Sequence, residues 1–169
     1  ENVRGNAPVM LENGTIKFRA HKDSLGFSTI KGTLQNDLFM EFLEESRRLV
    51  SMSRSMNDDL RIANAQKDTV AIASLRDEYL ELQEKAKTFE IDFMKGHPDA
   101  LISALILDKA VMSRSLPIKE MDSIFQGFSE EIKSSSIGIE MEQKLKKVIT
   151  TVIGIKAPEI SGPTPTGHD

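Results

Sequence analysis

The sequence predicts an α+β chain: the last strands of a β-sheet, then a predominantly helical module of five to six helices, then an extended C-terminal tail. Three observations carry this prediction. Apolar and polar residues alternate on both sides of Asn13-Gly14, the apolar period lengthens to about 3.6 after Gly32, and from Gly154 onward Pro and Gly displace every periodic signal. The expected boundaries are 1–33 for the end of an N-terminal sheet domain, 34–153 for the helical module, and 154–169 for a linker and the first segment of a following domain.

The first element is read from "PVMLENGTIKFRAH". Val9 and Leu11 precede Asn13-Gly14, and Ile16, Phe18 and Ala20 follow it. Asn and Gly tolerate the two positive φ angles of a type I′ turn, so this stretch predicts a two-residue hairpin that keeps both apolar stripes on one face. "GFSTIKG", bounded by Gly26 and Gly32, predicts another short strand. So small a sheet exposes edges, and strands upstream of Glu1 are expected to complete it.

The first helix is expected from about Leu34 to the mid-fifties, with Thr33 as N-cap and Leu38, Phe39, Phe42, Leu43, Leu49 and Val50 on its apolar stripe. "SMSRSMNDD" is expected to fray it. In the second helix Asp68 can cap, and Ile72, Leu75, Tyr79, Leu82, Ala86, Phe89 and Phe93 recur at alternating spacings of three and four, a heptad seam. Gly96 and Pro98 stop that helix, which is long enough to protrude or to pair along its length with the preceding one as an antiparallel hairpin. The seam therefore has two readings: packing within that hairpin, or pairing with a second copy or a client protein.

"HPDALISALILDKAVM" is apolar nearly all round, as interior helices are, with Pro98 expected in its first turn. Pro117 opens a segment carrying Met121, Ile124, Phe125 and Phe128; Ser129 starts a short turn through "SEEIK"; Ile137, Met141, Leu145, Val148, Ile149 and Val152 mark a last helix ending near Gly154. Several of the eight Met residues, Met10, Met121 and Met141 among them, fall on apolar stripes and read as gap-filling core side chains.

Composition narrows the function classes. A net charge of −4 offers neither a nucleic-acid footprint nor a polybasic membrane patch, and with no Trp and one Tyr the chain lacks stacking platforms for single strands. The absence of Cys removes any thiol nucleophile, disulfide or thiolate metal ligand from these residues. No run of 18 apolar residues is present, and no leader segment, so any membrane attachment is expected through an anchor outside this chain. His21, His97 and His168 are scattered, and Glu44-Glu45, Asp58-Asp59 and Glu130-Glu131 are adjacent pairs that diverge by about 100° around a helix axis rather than converge on a substrate. No metal, cofactor or catalytic residue is implied.

The tail carries the one family signal. "IGIKAPEISGPTPTG" resembles the G-x-x-A-P-x-F-x-x-x-x-x-x-G opening of TlpA-like and peroxiredoxin-like (AhpC-TSA-type) thioredoxin-fold proteins, with Gly154, Ala157, Pro158 and Gly167 in matching places and Ile160 where those proteins usually have Phe. "PVMLENGTIKFRAHKDSL", "KGTLQNDLFMEF", "GHPDALISALIL" and "LKKVITTVIGIKAPEI" look like the domain of unknown function that precedes the thioredoxin domain in envelope-bound thiol:disulfide interchange proteins of Bacteroides-type bacteria. The resemblance covers essentially the whole chain through the order and spacing of loose motifs. It implies a Cys-x-x-Cys pair downstream of Asp169, a periplasmic or cell-envelope location and protein redox partners, with a homodimer as a further possibility. The function expected is that of a non-catalytic accessory domain that positions, dimerises or selects partners for such an oxidoreductase. The alternative is a helical interaction scaffold with no redox role.

Overall fold

A computed structural model describes residues 6–20 and 25–150, a predominantly helical protein with a short antiparallel β ribbon at its start. The tail residues Gly154, Ala157, Pro158 and Gly167, with Val152, His21 and His168, lie outside the described residues. The ribbon pairs β1 (Lys17–Arg19) with β2 (Thr29–Lys31) in the register Lys17↔Lys31, Phe18↔Ile30, Arg19↔Thr29. Ile30 is the ribbon's buried anchor, and β2 packs along the first helix.

The Asn13-Gly14 hairpin is overturned. Residues 6–12 form no strand, and Asn13 has no positive φ, which a type I′ turn demands of both central residues. Leu11 is 90 % exposed, so the expected Val9/Leu11 stripe faces nothing. The segment is instead a strap held by side chains. Asn36, fully buried, accepts from Met10 N–H (2.9 Å) and donates to Met10 C=O (2.7 Å), satisfying the backbone groups that a strand neighbour would otherwise have served. Gly14 serves close approach: its φ is +133° and a Cβ there would lie 2.9 Å from the Thr33 side chain.

Helix α1 (Leu34–Gln66) does not fray after residue 50. Met56, Leu60 and the buried Ala63 continue its apolar seam, and Asn57 and Asn64 donate back to the carbonyls of Ser53 and Leu60, so packing outweighs their modest helix propensity. Thr33 does occupy the N-cap position, but its hydroxyl caps nothing. A Glu12 carboxylate oxygen accepts from Gln35 N–H (2.9 Å) and Asn36 N–H (3.3 Å) in its place, and Thr33 Oγ1 accepts from Asn36 Nδ2 (2.8 Å). Lys67 ends the helix in the left-handed region, Asp68 N–H returns to Ala63 C=O (3.0 Å), and the Asp68 side chain accepts from Ala71 N–H (3.0 Å). Two residues thus reverse the chain into α2 (Thr69–Gly96), with Asp68 capping as the sequence predicts.

Helix α3 (Leu101–Ser113) is the interior helix expected, packed against α1, α2, α4 (Ile118–Gly127) and α6 (Ser136–Thr150). Pro98 sits in the turn before α3 rather than in its first turn; Ala100 is the N-cap and Gln35 supplies the cap, accepting from Leu101 N–H (2.6 Å) and donating to Asp99 C=O (2.9 Å). Ser129 caps the single-turn α5 (Glu130–Ser134) through Ile132 N–H. Where α5 meets α6, Gly138 lies so close to the α5 backbone that a Cβ would fall 2.1 Å from Ile132 C=O.

Two outcomes follow for stability. Asn36→Ala leaves the Met10 backbone groups unpaired, which should cost about 1–3 kcal/mol in urea unfolding and speed hydrogen exchange at the Met10 amide. Gly138→Ala should cost roughly 1–3 kcal/mol or more through overpacking, whereas Gly127→Ala, which meets nothing within 4 Å, should be neutral or mildly stabilising.

Candidate interaction surface

The core lies at one end of the α1–α2 hairpin. Phe39, Phe93 and Met94 join α3, α4 and α6 in it, with Leu38, Phe42, Leu43, Phe89 and Ile91 packed on its edge; no apolar residue between Leu43 and Phe89 belongs to it. At the boundary Phe42 stacks on Phe89 (centroids 5.4 Å, 13° between planes) and meets Phe93 edge-on at 5.2 Å. Beyond this aromatic joint, α1 and α2 continue as a two-helix arm. At about 1.5 Å per residue, the turn at Lys67-Asp68 lies roughly 30–40 Å past Phe42 and Phe89.

The heptad seam faces α1. Leu82 and Phe93 are buried, and Leu75, Tyr79 and Phe89 are half-buried between the helices. Two helices cannot cover a seam from all sides, so clefts open along it. One, of about 360 Å³, is lined by Met56, Leu60, Leu75, Arg76, Tyr79 and Leu80. A second, of about 150 Å³, lies between Leu49, Val50 and Ser53 on α1 and Leu82, Gln83 and Ala86 on α2, and shares Tyr79 with the first.

The titratable side chains do not converge. Among the described residues no group of three His, Asp or Glu side chains is placed to hold a metal, and the His97 ring lies tilted against Phe93, 4.6 Å between centroids and 44° between planes. Glu45 is bound by Arg48, whose hydrogen bond first and charge second hold its carboxyl below the usual range, while its neighbour Glu44 lines a different cleft. Asp58 pairs with Arg61 and Glu130 with Lys133, each within one helical turn. Lys144 donates to Asp108 at 2.6 Å, joining α6 to α3, and that hydrogen bond keeps its ammonium above the ordinary lysine range. A cleft of about 680 Å³ between β2 and α1 is lined by charges of both signs, of which Asp37 accepts from Gly32 N–H and Arg47 donates to Gly26 C=O. Among the described residues no helix is long and apolar enough to cross a membrane. No protein-family model, curated protein or solved structure matches the chain. What these residues offer is a surface, the open side of the arm.

The seam also supplies a structural test. Leu82→Ala should cost about 2–5 kcal/mol by chemical denaturation, as large-to-small core changes do, while Val70→Ala, 79 % exposed on the same helix, should stay within about 0.5 kcal/mol.

Proposed function

We propose that this chain is a non-catalytic accessory module of a cell-envelope thiol:disulfide oxidoreductase, serving to position, dimerise or select partners for a thioredoxin domain that follows Asp169. In this reading residues 1–33 end an upstream sheet, 34–153 are the helical module, and 154–169 lead into the catalytic fold. The observation that carries the proposal is the tail, where Gly154, Ala157-Pro158 and Gly167 stand in the order of a thioredoxin-fold opening, in a chain without Cys. Thiol–disulfide exchange needs an attacking thiolate and a mixed disulfide, so the chemistry belongs to the downstream domain. The anchor and the periplasmic location belong to the same proposal. A helical interaction scaffold without redox partners is the second reading, favoured by the arm, which presents a lined groove whatever lies downstream.

Residues 1–169 should show no insulin-disulfide reductase activity, and the natural protein extended through the next domain should show it. Changing the first Cys of that domain's Cys-x-x-Cys to Ser should abolish the activity, while deleting 34–152 should spare reduction of small disulfides and alter selectivity among protein partners. A gene without a thioredoxin-like segment after Asp169, or with one lacking the cysteine pair, overturns the oxidoreductase reading in favour of the scaffold.

A further inference from the structure

The two clefts of the arm are one groove. The lining positions on α1 are 49, 50, 53, 56, 57 and 60, and those on α2 include 75, 76, 79, 82, 83 and 86. Both sets follow the spacing i, i+1, i+4, i+7, i+8, i+11, which returns to one side of a helix at about 100° per residue. The groove therefore runs along a single side of the arm for roughly 16 Å, the length of a three-turn helix. Its floor is Leu, Met and Tyr, and Val50 (49 % exposed) and Leu80 (59 %) stand open at its edges.

Its rims carry one sign of charge. On α1 the row next outward is Arg47, Val50, Arg54, Asn57 and Arg61; on α2 it is Arg76, Leu80, Gln83 and Lys87. Neither row contains an Asp or Glu. Arg47 is tied to Gly26 and Arg61 to Asp58, but Arg54, Arg76 and Lys87 are exposed and have no ion-pair partner among the described residues. The arm's acidic residues fall off these rows, Asp77 and Glu84 on the back of α2 and Glu78 and Glu81 toward its other side.

We infer that this groove docks an acidic amphipathic helix of about three turns from a partner protein, its apolar face against Leu60, Leu75, Tyr79 and Leu80 and its carboxylates against Arg54, Arg76 and Lys87. Helix-in-groove recognition needs an apolar trough with directional edges, and both are present. Charge decides against a second copy. Face-to-face pairing of two arms across this groove would set one basic rim against the other, a like-charge arrangement that interfaces avoid. The inference names the partner class of the interaction module proposed above and rests on that module having a partner.

The test is fluorescence anisotropy of the 169-residue chain with two labelled synthetic helices that share leucines at three–four spacing. One carries Glu on its flanks, the other Lys. The Glu helix should bind saturably and with affinity that falls as salt rises, the Lys helix should bind about tenfold more weakly or not at all, and Arg54→Glu/Arg76→Glu should reverse that order. Both substitutions are on exposed side chains, so an unchanged thermal melt verifies the fold of the variant. Absence of saturable binding of the Glu helix up to millimolar concentration, equal binding of the two helices, or indifference to the double substitution overturns the inference. A dimer in sedimentation velocity that dissociates on the double substitution overturns it in favour of a second copy. Reductase activity does not enter this measurement, so failure here leaves the oxidoreductase reading standing, and failure of the reductase assay leaves the groove.

Discussion

The structure depends on how the first turn of α1 is capped. A helix begins with backbone N–H groups that have no partner within it, and this start is enclosed by the strap and by the turn before α3. Thr33 stands at the N-cap with its hydroxyl committed to Asn36, so the caps come from distant segments. Glu12 supplies Gln35 and Asn36 N–H from the strap, and Gln35 in turn caps α3 through Leu101 N–H. Asn36 closes the node by holding Met10 at both its N–H and its C=O. One turn of helix thereby fixes the strap, α1 and the central helix relative to one another, which is why a segment without regular structure can be part of the fold.

Fixing that end determines where the rest of α1 goes. Its 33 residues pack near their N-terminal end against α3 and the aromatic joint, and α3 has only 13 residues to offer. The surplus has no core to lie on. It forms a two-helix arm in which each helix supplies the only apolar face the other can use. Isolated helices are marginal in water, so the arm holds together through Leu49, Ala63 and Leu82 and through its reversal at Lys67-Asp68. The same geometry leaves Leu75 and Tyr79 half-covered, and the groove is a direct result of building an arm from two helices rather than three.

What could be read from the sequence was local and periodic. Asp68, Pro117 and Ser129 mark helix starts by side-chain chemistry that acts within three residues, and the interior α3 is visible because its apolar residues go nearly all the way round. The failures share a cause. Asn13-Gly14 is a strong hairpin signal in isolation, but Asn36, twenty-six residues from Met10, offers the backbone a better arrangement that no local window contains. The polar stretch from Ser51 to Asp59 looks like a helix end because Ser and Asn are poor helix formers, yet the seam needs only Met56 and Leu60 from it. The seam of α2 was legible as a heptad; its groove was not, because the groove needs the partner helix whose length the sequence concealed.

The distribution of charge along the groove differs from that around the paired side chains elsewhere among the described residues. Several neighbouring ionisable groups are opposite in sign and already joined, as in Glu45–Arg48, Asp108–Lys144 and Glu90–Lys109. Along the groove Arg54, Arg76 and Lys87, which have no ion-pair partner among the described residues, stand beside apolar surface that two helices leave half-exposed. Neither feature stabilises the folded chain by itself. Each gains only when a third helix supplies the missing apolar face and the missing negative charge together, and that joint requirement would let the arm discriminate among partners rather than adhere to any apolar surface.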